Sequence, residues 1–310
     1  MTDLKLFHIE GEGARELRGE QVPVERHLQK LVERNMETLL GVRFLASEFS
    51  TGDQHGGRID SLGLDEAGSP VIVEYKRARD QNVMNQALFY LSWLLDHRGD
   101  FHMLVDEVLG SETATAIDWS RPRMICVASD FTRYDAHAVR TLGHATDLVR
   151  YRVYRHDLLT LELIASSYGR RTGSRRSSAG RRHLSVAPDP ASADNEGGAS
   201  DHLRAVPERM RELFADLDAT LIGLGEVRSE VLQTCVAYRR LRGFAWVRVQ
   251  EKTLVVTLNV DPRLVDLRSG FTRDVRELGH HGGGHLEVRI RSHADLQEAA
   301  PLLRQSLEAA

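Results

Sequence analysis

Apolar and polar positions recur along this chain with two periods, one helical and one strand-like, and the change from one to the other marks out its elements. In VERHLQKLVERNMETLLG, Val24, Leu28, Leu31, Val32, Leu39 and Leu40 fall at helical spacing and Gly41 supplies a stop, which predicts a helix of about four turns. RIDSLGL (58–64) and PVIVEYK (70–76) read as strands, and the DEAGS between them suits a hairpin loop. DQNVMNQALFYLSWLLDHRGD follows, with Val83, Met84, Ala87, Leu88, Leu91, Leu94 and Leu95 on one wide apolar face and Asp80 placed to cap the start. Further strands are predicted at FHMLV (101–105), RMICVAS (123–129) and LVRYRVY (148–154). The predicted order is helix, hairpin, helix, strand, strand.

The periodicity stops at GRRTGSRRSSAGRRHLSVAPDPASADNEGGAS, residues 169–200, a stretch rich in Gly, Ser, Ala and Arg that reads as a flexible linker. Its arginines, among them Arg170, Arg171, Arg175 and Arg176, suit a solvated tether better than an arm on phosphates. Domains are therefore expected over 1–168 and 201–310. The second begins with a helix over 203–224 and continues with strands at FAWVRVQ (244–250) and TLVVTLNV (253–260) joined by Glu251-Lys252. A strand at HLEVRIR (285–291) and a helix from Ser292 complete a smaller α+β module.

Composition narrows the function classes. The chain has 310 residues, 41% of them hydrophobic, enough for two domains with their own cores. Two cysteines, Cys126 and Cys235, far apart and outside any ligand spacing, indicate neither a disulfide framework nor structural zinc, and a reducing cytoplasm fits best. No apolar run reaches the length of a membrane span, and the start MTDLKLFHIEGEGARE lacks the regions of a signal peptide. A net charge of -4 excludes coating nucleic acid by bulk charge, though local basic patches can still meet phosphates. His280, His281 and His285 lack an acid or cysteine at ligand spacing, and a glycine-rich hairpin explains them. His55, in GDQHGGR, reads as a loop histidine without a role.

PVIVEYK raises a question of charge. Strand alternation puts Ile72, Glu74 and Lys76 on one face of an otherwise apolar strand. Antiparallel pairing of 58–64 with 70–76, in the register where paired residue numbers sum to 134, sets Asp60 beside Glu74. Two adjacent carboxylates are costly to bury together unless a divalent cation satisfies both. Hard oxygen donors of this kind select Mg²⁺ or Mn²⁺. Lys76 on the same face can then orient a water or stabilise charge on a phosphoryl group.

These residues resemble the PD-(D/E)xK nuclease superfamily, whose signature is an acid, a hairpin and then (D/E)-x-K, here Asp60 and Glu74-Tyr75-Lys76. The proline that usually precedes the first acid is replaced by Ile59. The form is similar to the RecB-like branch and the mismatch-cleaving endonucleases, which also carry a QxxxY motif on the next helix, matched by Gln86-Ala87-Leu88-Phe89-Tyr90. The resemblance covers roughly residues 20–130. It implies an α/β restriction-endonuclease-like αβββαβ core with a central mixed sheet, and DNA as substrate. It implies Asp60 and Glu74 as metal ligands, Lys76 as the residue that positions water, and Gln86 and Tyr90 in support. A first-helix glutamate would face the metal through water. Glu25 and Glu33 are both candidates, with Glu25, in E-x-x-L-Q-x-L, closer to the family's pattern. Arg58, Arg77 and Arg79 are candidate phosphate contacts.

The 201–310 segment resembles an uncharacterised domain that recurs behind nuclease-like domains. Its Tyr238, Arg239, Arg240, Arg242, Phe244 and Trp246 mix cations with aromatics, as single-strand binders do, although core aromatics with a basic rim explain the same letters. The expectation is a Mg²⁺- or Mn²⁺-dependent DNA endonuclease whose second domain aids target binding, with a homodimer left open and no membrane partner. Alternative readings are a nuclease fold that binds nucleic acid without cutting it, and a nucleotide or small-molecule binder acting through the second domain.

Overall fold

In the computed structural model, the structure describes residues 4–22, 24–76, 83–155, 157–167, 206–277 and 283–310. The chain divides into two compact units, Met1–Ser167 and Tyr168–Ala310. The first opens with a separate hairpin of β1 (Leu6–Glu10) and β2 (Gly13–Leu17). Helices α1 (Glu25–Arg34) and α2 (Met36–Leu40) follow, then β3 (Val42–Ser50), a short α3 (Gly52–His55), β4 (Arg58–Asp65) and β5 (Pro70–Lys76). Next come α4 (Val83–Asp96), α5 (Arg98–Leu109), α6 (Ser111–Thr115), β6 (Arg123–Ala128), α7 (Arg133–Thr141), β7 (Ala145–Tyr154) and β8 (Leu158–Ser166).

Strands β3 to β8 form one sheet in chain order, antiparallel through β5, parallel from β5 to β6 and β6 to β7, and antiparallel again at β8. This is the mixed sheet and the α-β-β-β-α-β order that the sequence resemblance implies. The central strands are sequestered on both faces, which is why Pro70–Tyr75 and the whole of Arg123–Ala128 are buried. On one face, α4 lays Met84, Ala87, Leu91 and Leu94 into a core with Leu62, Ile72, Met124 and Cys126. Helix α1 packs on β4 and β5 from the other face, the one that carries Ser61 and Tyr75. Burying Leu28 and Val32 of α1 contributes about 1.5–3 kcal/mol each.

Three expectations change. The single helix over 24–40 is broken at Asn35 (φ -130, ψ 23), whose side chain donates back to the Leu31 carbonyl at 2.9 Å, while Gly41 (φ 66) ends α2 as expected. FHMLV is not a strand. It lies within α5, where Phe101 and Val105, four apart, are buried and Met103 is 64% exposed. A strand would have buried all three together. Strand β3, which the resemblance implies but periodicity does not mark, and β8 and the first hairpin, which nothing in the sequence reading predicts, extend the unit.

The second unit has α8 (Glu208–Ile222), β9 (Arg228–Val231), β10 (Val236–Arg239), β11 (Gly243–Val249), β12 (Leu254–Leu258), β13 (Thr272–Asp274), β14 (Leu286–Ile290) and α9 (His293–Glu308). Its antiparallel sheet runs β13-β14-β12-β11-β10-β9. Met210, Leu213 and Leu217 of α8 and Leu296, Ala299 and Leu303 of α9 share one core with Tyr238, Val247, Val256 and Val288. Ser292 caps α9 by accepting from the Asp295 amide. No helix among the described residues is long and apolar enough to cross a membrane. The stretch 169–200, Arg77, Arg79, Asp80, His280 and His281 lie outside the described residues.

Candidate active site at the ends of β4 and β5

The β4–β5 ladder pairs Ser61 with Val73, Leu62 with Ile72, Gly63 with Val71 and Leu64 with Pro70, so every paired sum is the expected 134. Asp65 fixes the turn, its Oδ1 accepting from the amides of Ala67 and Ser69 at 2.9 Å each. Beyond Ser61–Val73 the main-chain ladder gives way to side chains. The Asp60 amide donates to Glu74 Oε1 (3.3 Å), and the Tyr75 amide donates to Asp60 Oδ2 (2.9 Å). The two carboxylates are thus seated on each other's strands, side by side.

Among the described residues, the positive charge that acts on both is that of Lys76. Glu74 is fully buried, and its Oε2 has no hydrogen-bond partner. An unsatisfied buried oxygen costs about 1–3 kcal/mol, more when charged. Burial, and after it the neighbouring Asp60 charge, push the Glu74 carboxyl up to about 9, against partial opposition from the Asp60 amide and Lys76. Asp60 is also raised, by burial first, with Glu25 and Glu48 adding to the rise while the Tyr75 amide and Lys76 counter it. Cys126, paired with Glu74 across β5 and β6, adds no further negative charge, since burial and then Glu74 push its thiol well above the ordinary range and keep it neutral.

The remaining predicted residues sort by position. Lys76 keeps 15% side-chain exposure at the end of β5, with Glu25 Oε1 3.8 Å from its ammonium. Glu33 lies on the other side of the strand pair and accepts from Ser61 Oγ (2.7 Å) and Gln29 Nε2 (3.0 Å). The structure therefore brings Glu25, and not Glu33, to the lysine. Gln86 and Tyr90 do share a face of α4, and Gln86 Nε2 donates to the Tyr90 hydroxyl at 3.3 Å. That hydroxyl accepts from the Arg58 amide at 3.1 Å, so the pair holds the start of β4, two residues before Asp60. The loop must come close for this contact: a Cβ on Gly57 would lie 2.6 Å from the Tyr90 ring. Arg58 is 67% exposed and its Nε donates to Glu48 Oε2 at 2.7 Å. His55 is no free loop residue, its ring lying 5.5 Å from Phe89 and 5.6 Å from His97.

Periodicity missed the residues that brace the site. Buried Gln29 donates to the Asp60 carbonyl (2.9 Å), and Ser61 Oγ sits 3.3 Å from the Tyr75 hydroxyl. The signal for Gln29 was its place four residues from both Glu25 and Glu33. Glu48 carries no signal, because periodicity does not locate β3 along the chain.

In the second unit, Tyr238, Phe244 and Trp246 are buried, so the basic and aromatic patch does not offer its rings to bases. Arg239 is 1% exposed and pairs with Glu230 at 3.5 Å inside the sheet, which corrects its place among the nucleic-acid contacts. Arg240 is exposed, and Arg242 donates to the Ala309 carbonyl at 2.7 Å.

Two hard carboxylates, one with a buried oxygen that nothing satisfies, form a donor set that fits a divalent cation completed by waters. Among the described residues no group of three or more His, Cys, Asp or Glu side chains is gathered for a metal.

Residues 199–309 match a family model described as a domain of unknown function, DUF5655. The chain is 26% identical over 308 residues to an uncharacterized protein of Haemophilus influenzae, covering 98% of this chain and 100% of that one. Among solved structures it is similar to a repair endonuclease from Pyrococcus abyssi, at 20% identity over 42% of this chain and 48% of that one, with a TM-score of 0.28. It is also similar to EndoMS in a complex with double-stranded DNA (21% identity, 42% and 47%, TM-score 0.25) and to EndoMS in its apo form (20%, 44% and 49%, TM-score 0.24). The chain spans about half the length of these solved structures.

Proposed function

We propose that the first unit hydrolyses phosphodiester bonds in DNA with the help of Mg²⁺ or Mn²⁺ held by Asp60 and Glu74. The observation that carries the reading is the seating of Asp60 and Glu74 on each other's strands, with Glu74 Oε2 buried and unsatisfied and Lys76 on the same face. A bound divalent ion would supply Lewis-acid polarisation of the phosphate and a more acidic water. The chain's own residues account for the rest. Lys76 carries a positive charge to the end of β5, where it can hold a water by hydrogen bonding or meet charge developing on phosphoryl oxygens. Glu25 draws the Lys76 ammonium toward α1. Gln29 fixes the Asp60 main chain, and Tyr90 with Gln86 fixes Arg58, keeping the first acid in place without touching substrate. Arg58, exposed and two residues from Asp60, is placed to contact a backbone phosphate.

The choice of DNA rests on the sequence resemblance. The second unit would aid target binding through exposed cations such as Arg240, since Tyr238, Phe244 and Trp246 are interior. The test is incubation of the purified chain with supercoiled, linear, mismatched and single-stranded DNA in Mg²⁺, Mn²⁺ or EDTA. Cutting should require the metal and fall at least about 100-fold in Glu74→Ala and in Lys76→Ala. Cutting that persists in EDTA, or in Glu74→Ala, contradicts the proposal.

A further inference from the structure

Asp60 has acids on both neighbouring strands. The pairs Ser47–Ser61 and Phe49–Ile59 set Glu48 of β3 opposite Asp60, as Ser61–Val73 sets Asp60 opposite Glu74. Glu48, Asp60 and Glu74 therefore form a row across three adjacent strands. Glu48 adopts a left-handed backbone (φ 54) inside a strand, a conformation that costs a non-glycine residue about 1–3 kcal/mol. Its carboxylate is turned to the Arg58 guanidinium at 2.7 Å, in a pair open to solvent mainly on the arginine side, with side chains 67% exposed for Arg58 and 36% for Glu48. Exposed ion pairs of this kind are worth only about 0–1 kcal/mol, so Arg58 can exchange its partner at little cost. A row of acids alone would indicate no ligand. The independent indication is Glu74 Oε2, buried, without a partner and beside Asp60.

We propose that Glu48 is a third acid of the cation site, held away by Arg58 in the free protein and released toward the cation when Arg58 takes a phosphate in its place. The inference rests on the reading that Asp60 and Glu74 hold a divalent ion. It gives Arg58 two functions, a phosphate contact and a latch that keeps the site at two acids until substrate arrives. The charge of Glu48 already acts on Asp60, which it helps to raise.

The test is Mn²⁺ affinity, read by electron paramagnetic resonance on the full chain without DNA, in wild type, Arg58→Ala, Glu48→Gln and the double variant. Arg58→Ala should tighten Mn²⁺ binding about tenfold by freeing Glu48, and Glu48→Gln should cancel that gain in the Arg58→Ala background. No gain in Arg58→Ala, or a gain that survives Glu48→Gln and so reflects only the lost positive charge, overturns the latch. Mn²⁺ binding that is absent from the wild type, or unaltered by Asp60→Asn, overturns the metal-site reading beneath it instead.

Discussion

The sheet of the first unit buries acid in two places and treats it in opposite ways. Between β6 and β7, Asp147 is met by the Arg123 guanidinium through Nη2 (2.7 Å) and Nε (3.1 Å), with both side chains fully buried. At the ends of β4 and β5, Glu74 is equally buried, yet among the described residues the charge that acts on it most is another acid, Asp60, ahead of Lys76. The first arrangement sets each buried charge against its opposite. The second is left open, and stability is given up to keep it so. Glu230 and Arg239 repeat the closed arrangement in the second unit, at 3.5 Å. A buried acid is therefore not in itself a sign of function, whereas a buried acid without its counter-charge is one.

Substitutions should separate the two arrangements. The largest effect is expected at the closed pair: Asp147→Ala strands Arg123 in the core and should cost about 3–5 kcal/mol in denaturant unfolding. Glu74→Gln should act in the opposite direction. The folded state holds the Glu74 proton up to about pH 9, against 4.5 ordinarily. Stability of the metal-free protein is therefore full below pH 4.5 and drains away as the pH rises toward 9. Each pH unit in that window is worth up to about 1.4 kcal/mol. Thermal melts in EDTA at pH 6 and pH 8 should show a fall for the wild type and little or none for Glu74→Gln, which would be the more stable protein at pH 8. If the variant is less stable at both, the open-site account loses its energetic basis.

Smaller effects test the supports. Tyr90→Phe removes the acceptor of the Arg58 amide and should cost about 0.5–1.5 kcal/mol in the same unfolding experiment, with activity falling because the start of β4 loosens. The smallest structural effect is expected at Arg240, exposed in the second unit. Arg240→Ala should leave stability within about 0.5 kcal/mol of wild type and reduce the salt dependence of DNA binding by about one unit of slope. Unaltered binding would remove Arg240 from the proposed interface.

The open site was legible in the sequence because strand alternation and hairpin register are local rules. PVIVEYK, RIDSLGL and the DEAGS turn between them determine which residues pair, and so place Asp60 beside Glu74. What surrounds the acids depends on where separate elements pack, and here local rules mislead. FHMLV suggests a strand but lies in a helix, with exposed His102 and Met103 and half-buried Leu104 between the buried Phe101 and Val105. Strand β3 carries a register shift near Phe44 and a left-handed Glu48, which blur its alternation and hide Glu48 as a neighbour of Asp60. Glu25 and Glu33 lie eight residues apart on one helix, and only its placement on β4 and β5 separates them. The cations and aromatics of the second unit looked alike in sequence, and burial divides Arg239 from Arg240.

The central claim is that the unsatisfied Glu74 oxygen awaits a divalent ion. Calorimetric titration of Mn²⁺ into the full chain at pH 7, repeated in buffers of different ionisation enthalpy, tests it directly. Because Glu74 holds its proton up to about pH 9, binding should release about one proton in the wild type and be abolished or greatly weakened in Glu74→Gln. Binding without proton release that is indifferent to Glu74→Gln, or no binding at all, would contradict the account.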